Sequence, residues 1–106
     1  MRAALAAHAP RDYPAGFLTA PIPKPAQVAM LDDGAVLMQY TRASSATLAF
    51  FRAITVANSS VAAAPNSSLD QPIVLTAWLY SMRCTSLDKT AIRNFVATHT
   101  GKAPAH

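Results

Sequence analysis

Residues 68–83 read SLDQPIVLTAWLYSMR, and the conformation of this stretch decides the fold class of the chain. Ser68 and Gln71 have the spacing of a capping box, with serine at the N-cap and glutamine three residues later, which predicts a helix over 69–83. Apolar side chains occupy nearly every side of that helix, so we expect it to be central. The β-branched residues of the stretch leave a buried strand as the alternative, which the capping signals disfavour.

Helices are also predicted on both sides of this stretch. No proline occurs within 34–60, and an aspartate just before this run offers an N-cap, which predicts one long helix there. A third helix is predicted over 87–99, because Ser86 offers an N-cap and Gly101 a C-terminal cap. The predicted fold class is therefore all-α, with helices at about 34–60, 69–83 and 87–99.

The beginning of the chain has a different composition. Five of the eight prolines lie between Pro10 and Pro25, which predicts an extended arm over 1–30 in front of a small helical domain over 31–106. The arm also carries apolar side chains larger than a free linker needs, which makes them candidate contacts to a neighbouring subunit. These candidates are Tyr13, Phe17 and Ile22. The alternative is that the arm packs on the helices of its own chain.

Charged residues are scarce throughout the sequence. The chain has no glutamate, and its charged fraction of 13% is about half of the usual ~25%. Surface helices normally carry charged pairs for solubility, so their scarcity predicts that much of the surface meets another protein or lipid.

The titratable residues show no catalytic arrangement. Asp32 and Asp33 are adjacent, so their side chains diverge, and Cys84 ends a predicted helix, where the helix dipole disfavours a thiolate. The histidines lack metal-ligand spacing, and the glycines are too dispersed for a phosphate-binding loop. The sequence thus predicts no catalytic residue, no metal and no cofactor, and a protein that is not an enzyme.

A basic surface supports an alternative function. The predicted helices 69–83 and 87–99 have the spacing of a helix-turn-helix, and the formal net charge is +4. The outward residues of the second helix would then contact DNA or RNA, and they are Lys89, Arg93 and Asn94. Any helical hairpin with a basic face would produce the same pattern.

Three features bear on location. The longest charge-free run of the predicted long helix, 43–51, is far shorter than the ~20 residues of a membrane span, although its flanking arginines leave contact with a membrane surface open. A single cysteine cannot form an internal disulfide, and no secretory segment is evident, so we expect a protein that is not secreted. The alanine-rich start with two arginines resembles an organellar transit segment, and a general bias toward alanine is the alternative explanation.

These features predict a non-catalytic structural accessory subunit of a larger multiprotein assembly, with a mitochondrial or other organellar location and a membrane-associated complex as its setting. The predicted partners are the other protein subunits of that complex. The alternative is a small basic helical module that binds nucleic acid, such as a helix-turn-helix or ribosomal protein.

Overall fold

The stretch 68–83 forms a β-hairpin, so the prediction of a helix there is wrong. The structure is a computed structural model that describes residues 15–102. Within it, β4 (Ile73–Ala77) and β5 (Tyr80–Cys84) pair in antiparallel orientation. The β-branched residues of the stretch favour this pairing, because a strand packs them against cross-strand neighbours.

Ser68, the predicted N-cap at the start of this stretch, lies in a turn. The Asn66 side-chain oxygen Oδ1 accepts a hydrogen bond from the amide of Ser68 at 2.9 Å. Short polar side chains that bind nearby amides in this way stabilise turns as readily as helix starts. Ser68 therefore belongs to a turn through its backbone amide, and its side chain forms no capping bond within residues 15–102.

A five-stranded mixed sheet with three helices replaces the predicted all-α fold. The predicted helix 34–60 contains a strand, a turn and a shorter helix, because its first part pairs with strands on both sides. The third predicted helix corresponds to the helix Lys89–His99, which has Asp88 as its N-cap and is numbered α3. The remaining elements are β1 (Gly16–Phe17), α1 (Lys24–Asp32), β2 (Val36–Tyr40), α2 (Ser45–Ala57), β3 (Val61–Pro65) and α3 (Lys89–His99).

The strands follow the order β1-β3-β2-β4-β5 across the sheet. β1, β3 and β2 are parallel, whereas β4 is antiparallel to β2 and β5 is antiparallel to β4. Parallel strands of one sheet need crossover connections, and here α1 lies in the chain between β1 and β2 while α2 lies between the neighbouring strands β2 and β3. The carboxyl ends of β2 and β3 therefore lie at the same edge of the sheet, with Tyr40 beside Pro65.

Helices pack on both faces of the sheet. On one face, α2 and α3 pack on alternate strand residues, and on the other face α1 packs on the residues between them. A strand buried on both faces carries apolar residues without alternation, which is why 61–64 reads VAAA and is fully buried. The α1 side comprises Ile22, Ala26, Met30, Leu37, Ala62 and Ala64. Residues 16–30 of the predicted arm thus take part in the sheet and its helical layer.

A close contact joins the start of β2 to the end of α3. Gly34 has a φ of +92°, and a Cβ atom there would lie 3.2 Å from backbone carbons of Gly101. The amide of Gly101 donates a hydrogen bond to the carbonyl of Gly34 at 2.8 Å. Glycine at position 34 therefore satisfies both the backbone conformation and the close approach.

Backbone strain is present in the turn of the hairpin. Trp78 and Leu79 connect β4 to β5, and Leu79 has a φ of +69°. This left-handed conformation costs a residue other than glycine roughly 1–2 kcal/mol. The Leu79 side chain is 83% exposed, so packing does not offset the cost.

We predict that Phe51→Ala lowers the free energy of unfolding by about 3–5 kcal/mol, because the Phe51 ring is fully buried between α2 and the sheet. Trp78→Ala provides the comparison, since Trp78 is only half-buried at the turn and its truncation should cost less. Urea unfolding followed by circular dichroism measures both variants. Equal losses would contradict this placement of the two side chains.

We predict that Leu79→Gly raises the free energy of unfolding by about 0.5–1 kcal/mol. Glycine adopts a positive φ without the steric cost, and the gain is reduced by the larger entropy of its unfolded chain. Leu79→Ala is the matched control, because it removes the same exposed side chain but keeps a Cβ atom. Thermal denaturation measures both, and a glycine variant with an unchanged or lower Tm would disprove the assignment of strain.

Candidate functional site

A cleft of about 680 Å³ lies beyond the carboxyl end of β2. In open α/β sheets, ligands bind in crevices outside the carboxyl ends of the strands, which makes this cleft the candidate site. One wall is the turn between β2 and α2, residues 41–44, and the other is the end of the β3–β4 connection, residues 69–72. Thr85, which follows β5, completes the lining.

Two backbone hydrogen bonds fix these walls to the end of β2. The amide of Thr41 donates to the carbonyl of Pro72 at 3.0 Å, and the amide of Asn66 donates to the carbonyl of Tyr40 at 2.8 Å. The β3–β4 connection is thus tied at both of its ends to the last residues of β2. The mutual position of the walls follows from the strand order.

Backbone donors are available at the start of α2, which directly follows the wall 41–44. The Oγ atom of Ser44 accepts a hydrogen bond from the amide of Thr47 at 3.1 Å, as an N-cap does. The amides of Ser45 and Ala46 have no acceptor within residues 15–102. Such free amides, together with the helix dipole, favour a negatively charged group near the start of a helix.

The side-chain charges of the cleft leave an excess of positive charge. Arg42 is exposed and has no ion-pair partner among residues 15–102. Asp70, on the opposite wall, accepts a hydrogen bond from Nε of Arg83 at 3.2 Å, and both side chains are largely exposed. Arg83 therefore balances the negative charge of Asp70, the one carboxylate in the described lining. The positive charge of Arg42 is then left without an opposing charge among residues 15–102.

The described lining supplies groups that can bind a ligand. It contains hydroxyl groups, one amide, one guanidinium and one carboxylate, but neither a histidine nor a cysteine. The hydroxyl of Ser44 donates to Oγ1 of Thr47 at 3.2 Å, so no general base is positioned to activate it. The cleft can therefore supply hydrogen bonds and positive charge to a ligand.

The thiol of Cys84 is unsuited to nucleophilic chemistry. Cys84 is buried at the end of β5. Burial, and to a smaller extent the negative charge of Asp88, raises the pKa of this thiol above its ordinary value. A raised pKa reduces the thiolate fraction near neutral pH, which is the reactive form.

The candidate partner contacts of the arm pack on the chain itself where they are described. Ile22 is 3% exposed and packs with α1 against the sheet. Phe17 lies on β1 beside the main core, and Cζ of Arg52 is 4.3 Å from the centroid of its ring. Tyr13 lies outside the described residues. The observed packing of Phe17 and Ile22 corresponds to the alternative in which the segment covers its own domain.

The three candidate nucleic-acid contacts are all exposed on α3. Nζ of Lys89 lies 5.6 Å and Cζ of Arg93 lies 4.9 Å from the centroid of the Phe50 ring. Both cations therefore contact the same aromatic ring of α2. Asn94 is on the same helix. The element before α3 is a strand, so the predicted helix-turn-helix is absent from this part of the chain.

Sequence reasoning missed the residues of the cleft. A signal was present, because Ser44 is followed three residues later by Thr47, whose amide it caps. That N-cap lay inside the predicted helix 34–60 and was therefore not used. The proximity of the two walls depends on the order of the strands, which no local pattern reveals.

Neither a metal-binding cluster nor a membrane-spanning helix is found in the part of the chain that the structure describes. Residues 15–102 hold no cluster of three or more side chains suited to a metal ion. None of their helices is both long enough and apolar enough to span a bilayer. Neither the α/β fold nor the comparison with known proteins supports the expected mitochondrial location or membrane complex.

Comparison with known proteins places the chain in one family. The family model described as "Protein of unknown function (DUF3105)" matches residues 5–106. No curated protein and no solved structure matches the chain. Since the match extends over nearly the whole sequence, the chain belongs to the DUF3105 family.

Proposed function

We propose that this protein is a non-catalytic accessory subunit of a multiprotein assembly, and that it binds an acidic segment of a partner protein in the cleft beside β2. The observation that carries the proposal is Arg42, which lines the cleft without an ion-pair partner among residues 15–102, together with the start of α2 directly after this wall, where the amides of Ser45 and Ala46 have no acceptor in the same range. Carboxylate groups suit such a set of donors, because bonds from amides and guanidinium groups to an ionised acceptor are the stronger kind.

The shape of the cleft favours an extended protein segment over an enclosed small molecule. Most small-molecule sites are apolar and bury nearly the whole ligand. Here several lining residues are exposed, and short polar side chains predominate. An open polar cleft with backbone donors is typical of sites that capture the carboxylates of a peptide.

The composition of the chain supports the role of a subunit. Only 13% of the residues are charged, and large apolar side chains are exposed at several places on the surface. These exposed side chains are Val28, Val56, Leu79 and Tyr80. A protein that works in contact with other proteins can retain such a surface.

One observation favours nucleic-acid binding as a second candidate function. Lys89 and Arg93 are exposed and are held over the same ring, that of Phe50, which places two cations side by side. Adjacent cations suit a phosphate backbone. This candidate rests on α3 and not on the cleft, so the two functions can be separated by mutation.

We predict that Arg42→Ala weakens the binding of a fluorescent peptide rich in aspartate and glutamate by about fivefold, which corresponds to about 1 kcal/mol for an exposed charged contact. Asp70→Asn should strengthen binding, because it removes the one carboxylate of the lining. Fluorescence anisotropy at low salt measures both affinities. Arg52→Ala is the matched control, since it removes the same charge at a site over Phe17.

Equal losses for Arg42→Ala and Arg52→Ala would show that the peptide responds only to net charge, and the proposal would fail. The nucleic-acid candidate is tested with the double variant Lys89→Ala, Arg93→Ala and a single-stranded oligonucleotide. Tight binding with a steep salt dependence that this double variant abolishes would favour that function over the cleft.

A further inference from the structure

β5 is the outermost strand of the sheet, and no strand within residues 15–102 pairs with its outer side. It is the last strand in the order and pairs only with β4. Four of its five residues are at least partly exposed. An edge of this kind offers its free backbone groups to a further strand.

The register of the hairpin determines which backbone groups point outward. Ala77 and Tyr80 flank the two-residue turn and form a hydrogen-bonded pair, and such pairs alternate along antiparallel strands. Tyr80, Met82 and Cys84 therefore direct their backbone groups toward β4. Ser81 and Arg83 direct theirs away from it, and their amides have no acceptor among residues 15–102.

This edge lacks the usual protection against pairing. Natural edge strands are protected by several charges, by proline or by a bulge. β5 has Arg83 as its one charged residue and contains no proline, and its register with β4 is continuous from Tyr80 to Cys84. The whole run 73–82 carries no charged residue.

We propose that two copies of this chain associate through their β5 strands, antiparallel and centred on Met82, to form one continuous sheet. Ser81 then lies opposite the partner's Arg83, and Tyr80 lies opposite the partner's Cys84. The outward backbone groups of Ser81 and Arg83 pair with those of the other copy. This proposal is independent of the function assigned to the cleft.

The strand itself selects this register. Centring on Met82 pairs all five residues of β5 and places its outward residues opposite one another. Centring on Arg83 would set the two Arg83 side chains directly opposite, which is unfavourable, because the exposed pair of each with its own Asp70 offsets the repulsion only in part. Centring on Ser81 would place Arg83 opposite the partner's Leu79, which lies beyond the end of the strand.

The helical layer leaves room for this association. Among the strands, α3 makes its main contact with β4, and it also contacts the start of β5, where the rings of Tyr80 and His99 stack with centroids 4.5 Å apart. In the paired sheet, the two β4 strands would lie about 14 Å apart, at about 4.8 Å per strand. Helices pack at roughly 8–10 Å, so the two copies of α3 fit side by side.

Two charge variants at Ser81 test the proposal. Sedimentation velocity over a concentration series should detect a dimer, and Ser81→Glu should lower its dissociation constant by about fivefold, because each glutamate faces the partner's Arg83. Ser81→Arg should raise the dissociation constant by a similar factor, because it sets two arginines opposite one another. Ser81 is exposed, so both variants should fold.

Cross-linking tests the register separately. Met82→Cys should form a disulfide-linked dimer under mild oxidation, because its two copies face each other across the axis within reach of a disulfide. Ser81→Cys and the wild-type protein, with Cys84 alone, should not, because their thiols are offset along the strands. A protein that is monomeric at all concentrations, charge variants with equal effects, or faster cross-linking of Ser81→Cys would each overturn the proposal.

Discussion

The pairing of β2 with strands on both sides is the constraint on which this fold depends. β3 joins it in parallel through the crossover of α2, and β4 joins it in antiparallel orientation from much later in the chain. Leu37 and Met38, on opposite faces of β2, are both fully buried by the two helical layers. No part of β2 can be exposed without disrupting one of these layers.

The same pairing builds the cleft. Because β3 and β4 flank β2, the connection between them must pass across the carboxyl end of β2, where α2 also begins. Hydrogen bonds from Thr41 to Pro72 and from Asn66 to Tyr40 secure this crossing. The donors of the cleft are therefore a consequence of strand order and not of any contiguous motif.

The features that could be predicted from sequence are local. Gly101 follows the end of α3 with a φ of +80°, as expected of a residue after a helix, and α3 has a clear apolar stripe. The prediction of a helix is wrong for 73–75, and the strand at 61–64 was not predicted at all, because a strand buried on both faces lacks the alternation that identifies strands. Arg42 could not be recognised as part of a site, because its relation to Asp70 arises only when β4 pairs with β2.

The bond between Gly101 and Gly34 has a consequence for hydrogen exchange. It attaches the end of α3 to the junction that precedes β2, while the rest of α3 is held by side-chain packing on the sheet. Release of α3 would open this amide to solvent without breaking the ladder of β2, β3 and β4. Amide exchange at Gly101 would then report a partial opening with a lower free energy than global unfolding, which distinguishes a detachable helix from a sheet that unfolds only as a unit.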